Sequence, residues 1–345
     1  MINKINRPTL NEVAQRAGVH VSTASRALNK NTRHMIGNSI VKNIEKIAYE
    51  LNYKPNRLAQ ALRTKKSNGI GVIVPDITNT IFSSMILGIE KGLEQEGYVP
   101  VTVNMSEKVA SSTSQKIDLL QNFGVDGFIL ATGDQPQIDF EEIVNSGTPI
   151  VMLNRSSVND NLPCILPDDN EGIRKAFQHL WDFDHRNICM ISGPRNISTG
   201  ISRSKAFKKI SSELSKSIGK FPIIYASSYN EIEGEKCMMN ILENDKSDIT
   251  GIILGNDRLA IGALGAIKKF GLHCPDDFSL VGFNNMPLTG RIDPPLTTID
   301  INPYDMGYLA ANKLLSLLSS GNDELGKKVY HPVKLIIRSS TKKLI

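Results

Sequence analysis

Amide and guanidinium side chains follow several short apolar runs in this 345-residue chain, at places where each run would end as a buried β-strand. Because the carboxyl ends of parallel strands meet at one edge of a sheet, we expect these side chains to line a common crevice. The candidate wall residues are Ile77, Asn79, Phe82, Asn154, Arg155, Arg203, Asn256, Asp257, Asn284 and Asn285. Amides and a guanidinium beside apolar or aromatic surface suit a polyhydroxylated or otherwise polar small molecule, since each hydroxyl both donates and accepts. Asparagine is also a common turn former, so the alternative for any single one is a loop without a ligand.

Four side chains between residues 168 and 185 could act as acids or bases, namely Asp168, Asp169, His179 and His185. A solvated surface is the favoured location for them. The chain has no G-x-S-x-G, no P-loop and no G-x-G-x-x-G after a strand, and "GIGVIVP" runs through a strand instead of opening a phosphate loop. These patterns argue against an enzyme.

The four cysteines, Cys164, Cys189, Cys237 and Cys274, lie far apart, with no C-x-x-C pair and no histidine at ligand spacing. Neither a metal site nor a disulfide framework is predicted, and no motif calls for a cofactor. The start "MINKINRPTL" has no apolar signal segment, and no later run reaches the roughly 18 apolar residues of a membrane helix. We therefore expect a reduced, cytoplasmic protein.

Positive charge is concentrated at the start of the chain. Residues 1–66 hold thirteen Lys and Arg against three acidic residues, although the whole chain has a net charge of only +5. Such a basic segment is typical of proteins that neutralise nucleic-acid phosphates, and the alternative is a solvated basic tail.

The sequence "TLNEVAQRAGVHVSTASRALN" favours the nucleic-acid interpretation. Thr9 and Glu12 form a T-x-x-E capping box, Gly18 ends the first helix, and a second helix is expected from Val21 to about Asn29 with Ala24, Ala27 and Leu28 inward. Two helices joined by a short glycine-containing turn make a helix-turn-helix. A third amphipathic pattern would close a three-helix core, with Ile40, Ile44, Ile47, Ala48 and Leu51 inward.

Strand and helix patterns alternate after a polar linker that ends near residue 67. Strands are predicted at 70–74, 99–103, 127–131, 149–153, 187–191, 222–225, 250–254 and 278–282, and helices at 111–122, 170–182 and 256–270. The pattern repeats on either side of about residue 165. The fold class is therefore α/β: a three-helix headpiece followed by a core of two lobes, each a doubly wound parallel sheet, with the crevice between them.

The whole chain resembles the LacI/GalR family of bacterial transcriptional repressors. The residues that carry the resemblance are "TLNEVAQRAGV", "STASRALN", "LNYKPNRLAQALRT", "IGVIVPDITN", "GNDRLAIGAL", "PDDFSLVGFNN", "PPLTTIDIN" and "IIRSSTKKL". It implies a headpiece at 1–54, a hinge at 55–67 and a periplasmic-binding-protein-like core at 68–345. The first lobe would comprise about 68–165 and 300–327, and the second 166–299 and 328–345.

The resemblance implies that Val21, Ser22 and Arg26 contact base edges in the major groove, where an arginine can bond guanine O6 and N7. Further expected DNA contacts are Thr9, Thr23 and Asn29 in the headpiece and Asn56, Arg57, Ala59, Leu62 and Arg63 in the hinge. Leu62 would be the wedge in the minor groove. A helix as short as 57–63 is marginal in water, so it would order on DNA against the partner subunit's copy.

In the core, the resemblance places a small-molecule effector against Ile77, Asn79, Phe82, Asn154, Arg203, Asn256 and Asn284. Sugars and nucleobases are the usual family ligands. Many sugar-responsive members carry aspartate at the positions of Asn154 and Asn284, so the ligand or its pose differs here. His20 stands where a serine or threonine usually caps the recognition helix and should cap it less well.

The function implied is that of a homodimeric repressor of carbohydrate-utilisation genes that binds a pseudo-palindromic operator and responds to a carbohydrate effector. Alternatives are a regulator that responds to a purine or nucleoside, or a solute-binding protein without a regulatory role. The last would have no use for residues 1–66. The sequence is silent on a protein corepressor, and membrane association is not expected; the protein would be nucleoid-associated when bound to its operator.

Overall fold

The computed structural model describes residues 8–29, 32–54, 66–105, 112–132, 147–156, 162–214, 219–244, 248–320 and 328–344. Packing divides the chain into two units, Met1–Ser67 and Asn68–Ile345. The hinge positions Asn56, Arg57, Ala59, Leu62 and Arg63 lie outside the described residues.

The described residues of the first unit form three helices, α1 (Leu10–Arg16), α2 (Val21–Leu28) and α3 (Asn38–Glu50), with a 3₁₀ turn at Arg33–Met35. The capping box is present: the Glu12 amide donates to Thr9 Oγ1 at 3.3 Å, and the Thr9 amide donates to Glu12 Oε2 at 2.9 Å. Gly18 follows α1 with φ +64°, a conformation that glycine adopts without strain.

Small residues form the core of this unit, which lets the helices cross closely. Its buried members are Val13, Ala14, Ala24, Ala27, Val41, Ile44 and Ala48. The prediction that Ile40 faces inward is wrong, because its side chain is 42% exposed. Val41 takes the core position, one residue further along α3.

The second unit begins with the first-lobe elements β1 (Gly69–Val74), α4 (Thr80–Glu94), β2 (Val99–Asn104), α5 (Ser112–Asn122), β3 (Gly127–Leu130), β4 (Ile150–Leu153) and β5 (Cys164–Pro167). The second lobe follows with α6 (Asp169–Asp182), β6 (Ile188–Ser192), α7 (Ser198–Leu214), β7 (Ile223–Tyr225), α8 (Glu231–Asn244), β8 (Gly251–Leu254), α9 (Asp257–Lys269), β9 (Ser279–Asn284) and β10 (Thr297–Asp300). The chain ends with α10 (Pro303–Ser320), β11 (Lys328–His331) and β12 (Lys334–Ile336).

Two six-stranded sheets result, with strand orders β11-β5-β4-β3-β1-β2 and β12-β10-β9-β8-β6-β7. The strand pairs are parallel except that β12 runs antiparallel to β10. The chain passes between the sheets three times, after β5, after β10 and after β11. The α/β fold with two doubly wound lobes is therefore confirmed.

Four strands were missing from the sequence prediction: β5, β10, β11 and β12. The expected lobe boundary is corrected by one of them, because β11 pairs with β5 in the first sheet. Residues 328–331 therefore belong to the first lobe, and the last crossing lies between His331 and Lys334. A strand of three or four residues carries too little hydrophobic periodicity to be recognised from sequence.

Helices α8 and α9 pack so closely that glycine is required where they meet. A Cβ placed on Gly262 would lie 1.9 Å from the Glu231 carbonyl oxygen, whereas one on Gly265, in the same helix, would come no closer than 3.7 Å to Glu235 Oε2. The two glycines therefore test packing and helix propensity separately.

Gly262→Ala should destabilise the core by about 1–3 kcal/mol, because the backbones must separate to admit a methyl group. Gly265→Ala should be neutral or stabilise by up to about 1 kcal/mol through helix propensity alone. Thermal unfolding of the two variants measures the difference. Equal midpoints would contradict the close-packing explanation.

Candidate functional site

A cleft that opens to solvent lies between the two lobes. It is lined by Asn79, Ile81, Phe82, Asn154, Arg155, Thr199, Arg203, Tyr229, Asn256 and Asn284. These residues come from the segments after β1, β4, β7 and β8, from the end of β9, and from α4 and α7, so both lobes contribute walls. Of the positions expected to hold an effector, only Ile77 is absent from the lining. It is 46% exposed, and its amide donates to Asn104 Oδ1 at 3.0 Å.

Arg203 is held rigidly at the floor of the cleft. Its Nε donates to Asp169 Oδ1 at 2.7 Å, its Nη1 donates to the Gly255 carbonyl at 2.6 Å, and its guanidinium lies 3.7 Å from the centre of the Phe283 ring. Arg203 is 2% exposed. Burial raises the pKa of Asp169, while the charge of Arg203 opposes that rise. The remaining guanidinium N–H groups form a pre-oriented donor fork for a ligand.

Two of the four cleft asparagines are helix caps. Asn79 Oδ1 accepts from the Ile81 amide at 3.3 Å at the start of α4, and Asn256 Oδ1 accepts from the Leu259 amide at 2.9 Å at the start of α9. Their oxygens therefore serve the local fold, as the turn-former alternative proposed. Each retains an amide NH₂ beside the cleft.

Asn154 and Asn284 differ from the caps in both backbone and hydrogen bonding. Their φ values are +65° and +112°, and each side-chain oxygen is buried without a hydrogen-bond partner in the structure. A buried carbonyl oxygen without a partner costs free energy that a ligand hydroxyl or N–H recovers on binding. Since Asn154 follows β4 and Asn284 ends β9, the two acceptors come from opposite lobes.

Asp257 and Asn285 support the segment that carries Asn284. Asp257 Oδ2 accepts from the Met286 amide at 2.7 Å, and Asp257 Oδ1 accepts from Thr298 Oγ1 at 2.5 Å. Asn285 Oδ1 accepts from Arg338 Nη2 at 2.7 Å. Burial raises the pKa of Asp257 to about 7, against the hydrogen bonds that lower it. Both residues act from behind the wall and do not line the cleft.

Tyr229, Thr199 and Ile81 line the cleft but were not predicted. The Tyr229 hydroxyl lies 3.1 Å from Thr199 Oγ1, and its ring packs on Gly193, where a Cβ would come within 2.0 Å of it. Burial raises the pKa of Tyr229. The position of Tyr229 shortly after β7 could have predicted its place in the lining, because several other wall residues also follow strands.

The four suspected acid or base groups do not form a catalytic set, and three of them do not lie on the solvated surface expected. Asp169, His179 and His185 are buried, while Asp168 caps α6 through the Glu171 amide at 2.9 Å. His179 Nε2 lies 2.9 Å from Thr341 Oγ1, and His185 Nδ1 lies 2.8 Å from Thr250 Oγ1. Burial lowers the pKa of both histidines, so the neutral rings serve packing between α6 and the end of the chain.

Within the described residues, no cluster of three His, Cys, Asp or Glu side chains is placed to hold a metal ion. No helix in the same part of the chain is long and apolar enough to cross a membrane.

The expected DNA-contact residues of the first unit lie largely on one helix. On α2, Ser22 and Arg26 are exposed, while Ala24 and Ala27 face the core. Val21 and Thr23 are half-buried, and Asn29 is the C-cap. Thr9 belongs to the capping box of α1, so its side chain serves that helix.

His20 caps α2 through its side chain, and the expectation that it caps less well than serine or threonine stays a prediction. Its Nδ1 accepts from the Ser22 amide at 3.3 Å and lies 2.8 Å from Ser22 Oγ. The imidazole thus replaces the usual hydroxyl and also holds the Ser22 side chain.

Comparison with family models decides the identity of the chain. Residues 67–339 match "Periplasmic binding proteins and sugar binding domain of LacI family", and residues 9–56 match "Bacterial regulatory proteins, lacI family". The chain belongs to the LacI family. It is therefore a DNA-binding transcriptional regulator and not an enzyme, as the sequence predicted.

Individual LacI-family proteins align with 80% or more of this chain. The ribose operon repressor of Halalkalibacterium halodurans is 31% identical, with 97% of each chain covered. The crystal structure of the lac repressor dimer bound to operator and the anti-inducer ONPF is 25% identical, with a TM-score of 0.85 over 98% of this chain and 100% of that one. A LacI-family regulator from Enterococcus faecalis with bound ribose is 29% identical, with a TM-score of 0.71 over 80% of this chain and 100% of that one.

Asp169→Asn should destabilise the core by about 3–5 kcal/mol, because it leaves the charge of Arg203 buried without its partner. Glu171→Gln removes partly exposed ion pairs with Arg174 and Lys175 on the same helix and should cost about 1 kcal/mol or less. Urea unfolding followed by tryptophan fluorescence measures both. Similar losses of unfolding free energy in the two variants would contradict the view that a buried ion pair is worth more than an exposed one.

Proposed function

We propose that this protein is a homodimeric transcriptional repressor whose affinity for a pseudo-palindromic operator is controlled by a carbohydrate bound between the core lobes. The observation that carries the proposal is the pair of unpartnered acceptors, Asn154 Oδ1 and Asn284 Oδ1, on opposite walls of a cleft that also holds Arg203. A hydroxylated ligand that satisfies both acceptors joins the lobes. Effector binding thereby favours one lobe arrangement, which changes operator affinity.

The chemistry of the cleft supports a sugar. Its described lining carries four amides, two guanidiniums, one phenol and one hydroxyl, while Phe82 and Ile81 offer apolar surface to a ring face. Ribose is the first ligand to test, because a similar regulator binds ribose and a similar repressor is named for the ribose operon. Asn154 and Asn284 each present one acceptor and one donor, whereas aspartate presents two acceptors. We therefore expect the sugar to bind in a different orientation from that in family members with aspartate at these positions.

The DNA-binding role rests on charge and on the exposed face of α2. Arg26 lies on the face opposite Ala24 and Ala27, which suits entry into a major groove. We propose a headpiece at 1–54, a hinge at 55–67 that would insert Leu62 into the minor groove, and a core from residue 68. In this scheme Asn56, Arg57, Ala59 and Arg63 track the backbone and groove edges. A cytoplasmic location, on the nucleoid when the operator is bound, follows from this role.

Arg26→Ala should weaken binding to the preferred operator by about 1–3 kcal/mol and relax specificity at one base pair, if Arg26 bonds a guanine. The operator is first obtained by selection from random duplexes, and affinities are measured by fluorescence anisotropy at fixed salt. Lys46→Ala, which removes one exposed charge from α3, should change operator and random-DNA binding by the same factor. Equal losses on both DNAs for Arg26→Ala would mean that it contacts only phosphate.

Arg203→Lys should reduce the affinity for D-ribose, or for another sugar found by thermal shift, at least about tenfold. Lysine keeps a positive charge beside Asp169 but loses the planar fork. Operator binding without effector should persist, and Lys208→Gln, at an exposed site on the same helix, should change neither property. Loss of operator binding together with sugar binding would indicate a purely structural Arg203.

A further inference from the structure

An ion pair joins the two lobes outside the cleft lining. Arg258, in the first turn of α9 in the second lobe, donates from Nη1 to Asp76 Oδ2 in the first lobe at 3.1 Å. The same guanidinium makes a bidentate pair with Glu231 at the start of α8, with Nε to Oε1 and Nη2 to Oε2 both at 2.8 Å. One edge of Arg258 is therefore anchored in its own lobe, while another reaches across to the opposite lobe.

The arginine end of this contact is rigid. Close packing at Gly262 and Gly234 fixes α8 against α9, and hence Glu231 against Arg258. The Arg258 side chain is only 20% exposed, and the hydrogen bonds that it donates to Glu231 raise its pKa. Little side-chain entropy remains to be lost when Arg258 meets a carboxylate of the other lobe.

The aspartate end is also held in place. Asp76 Oδ1 accepts from the Thr78 amide at 2.9 Å and from Thr78 Oγ1 at 2.5 Å, which leaves Oδ2 directed to Arg258. Burial raises the pKa of Asp76, but the Thr78 hydrogen bonds and Arg258 lower it by more, so its net pKa lies below the ordinary value. The carboxylate is therefore charged at neutral pH.

Both partners are linked directly to the cleft walls. Asp76 precedes Asn79 in the segment between β1 and α4, and Arg258 follows Asn256 in the first turn of α9. A second contact between the lobes is a hydrogen bond from the Ser156 amide to Ser198 Oγ at 3.1 Å. It lies beside Arg155 and Thr199, other members of the cleft wall. Contacts between the lobes thus occur next to several of the residues that would hold a ligand.

We propose that Asp76 and Arg258 are positioning residues that favour the lobe arrangement in which both cleft walls reach one ligand. This inference deepens the proposed function and rests on it. A ligand that bonds both Asn154 and Asn284 binds only when the lobes are close, so its apparent affinity scales with the population of that arrangement. Partly exposed ion pairs are modest in strength, and the expected gain in affinity is about 2- to 5-fold.

Asp76→Asn is the test variant, because an asparagine oxygen still accepts from Thr78 while the charge is lost. Lobe separation in the free protein is measured by electron–electron double resonance between nitroxides at Leu119→Cys and Lys208→Cys, exposed sites on α5 and α7. Three native cysteines are buried, and burial raises the pKa of Cys274 to about 12, so these thiols label slowly at neutral pH. Binding of D-ribose is titrated on the same proteins without labels.

We expect Asp76→Asn to depopulate the wild-type distance and to weaken ribose binding about 2- to 5-fold. Glu94→Gln should change neither, although it also converts an ion-paired acid to an amide, because its partner Lys91 lies on the same helix. Arg258→Gln combined with Asp76→Asn should add little to either single effect, and high salt should bring the wild type towards Asp76→Asn. Such coupling and salt dependence would not accompany a merely structural role.

An unchanged distance distribution in Asp76→Asn would overturn the proposal, and so would a changed distribution with unaltered ribose affinity. Failure of the proposed function is seen separately, as a wild-type protein that binds no sugar. The distance measurement needs no ligand and would still decide whether the ion pair holds the lobes.

Discussion

The architecture of the two-lobed core depends on one constraint of topology: the chain crosses between its two sheets three times through very short segments. Asp168 alone separates β5 from α6, Ile301 and Asn302 separate β10 from α10, and Pro332 and Val333 separate β11 from β12. These crossings bring the carboxyl ends of both sheets to the same gap. They also connect the two lobes covalently through three short segments. This arrangement determines where the wall residues lie. It also means that a contact across the gap affects the separation of the two lobes.

Within that gap, the free energy of ligand binding depends mainly on buried polar groups. Asp169 neutralises Arg203 below the floor of the cleft, so a ligand meets the outer edge of a compensated guanidinium. The two asparagine oxygens that lack partners are then the unsatisfied acceptors that distinguish this cleft from an ordinary packed interface. A neutral, donor-rich molecule relieves that cost without introducing an uncompensated charge into a site shielded from water. The same reasoning explains why three groups that resembled an acid-base set, Asp169, His179 and His185, are structural.

Sequence patterns predicted the parts of this molecule that are governed by local chemistry. The capping box at Thr9, the turn at Gly18 and most central strands were recognised, because hydrogen-bonding side chains and apolar runs leave direct signals. Of the ten wall residues expected from the strand-end rule, seven line the cleft. Ile77 lies outside that lining and is largely exposed in the segment after β1. The short strands β10, β11 and β12, the burial of His185 and the contribution of Tyr229 depend on contacts between distant segments. Such contacts leave no periodic trace.

Asn154 and Asn284 have backbone conformations that favour few residue types, with asparagine, aspartate and glycine the best tolerated. Few substitutions are therefore tolerated at these two positions. Exchange of asparagine for aspartate needs only a single-base change in the codon, preserves the backbone and replaces an NH₂ donor by a second acceptor. A regulator of this kind can acquire a new chemical preference without rebuilding its walls. Duplicated copies of such a gene could thus diverge towards different nutrients while the DNA-binding headpiece and the lobe crossings stay the same.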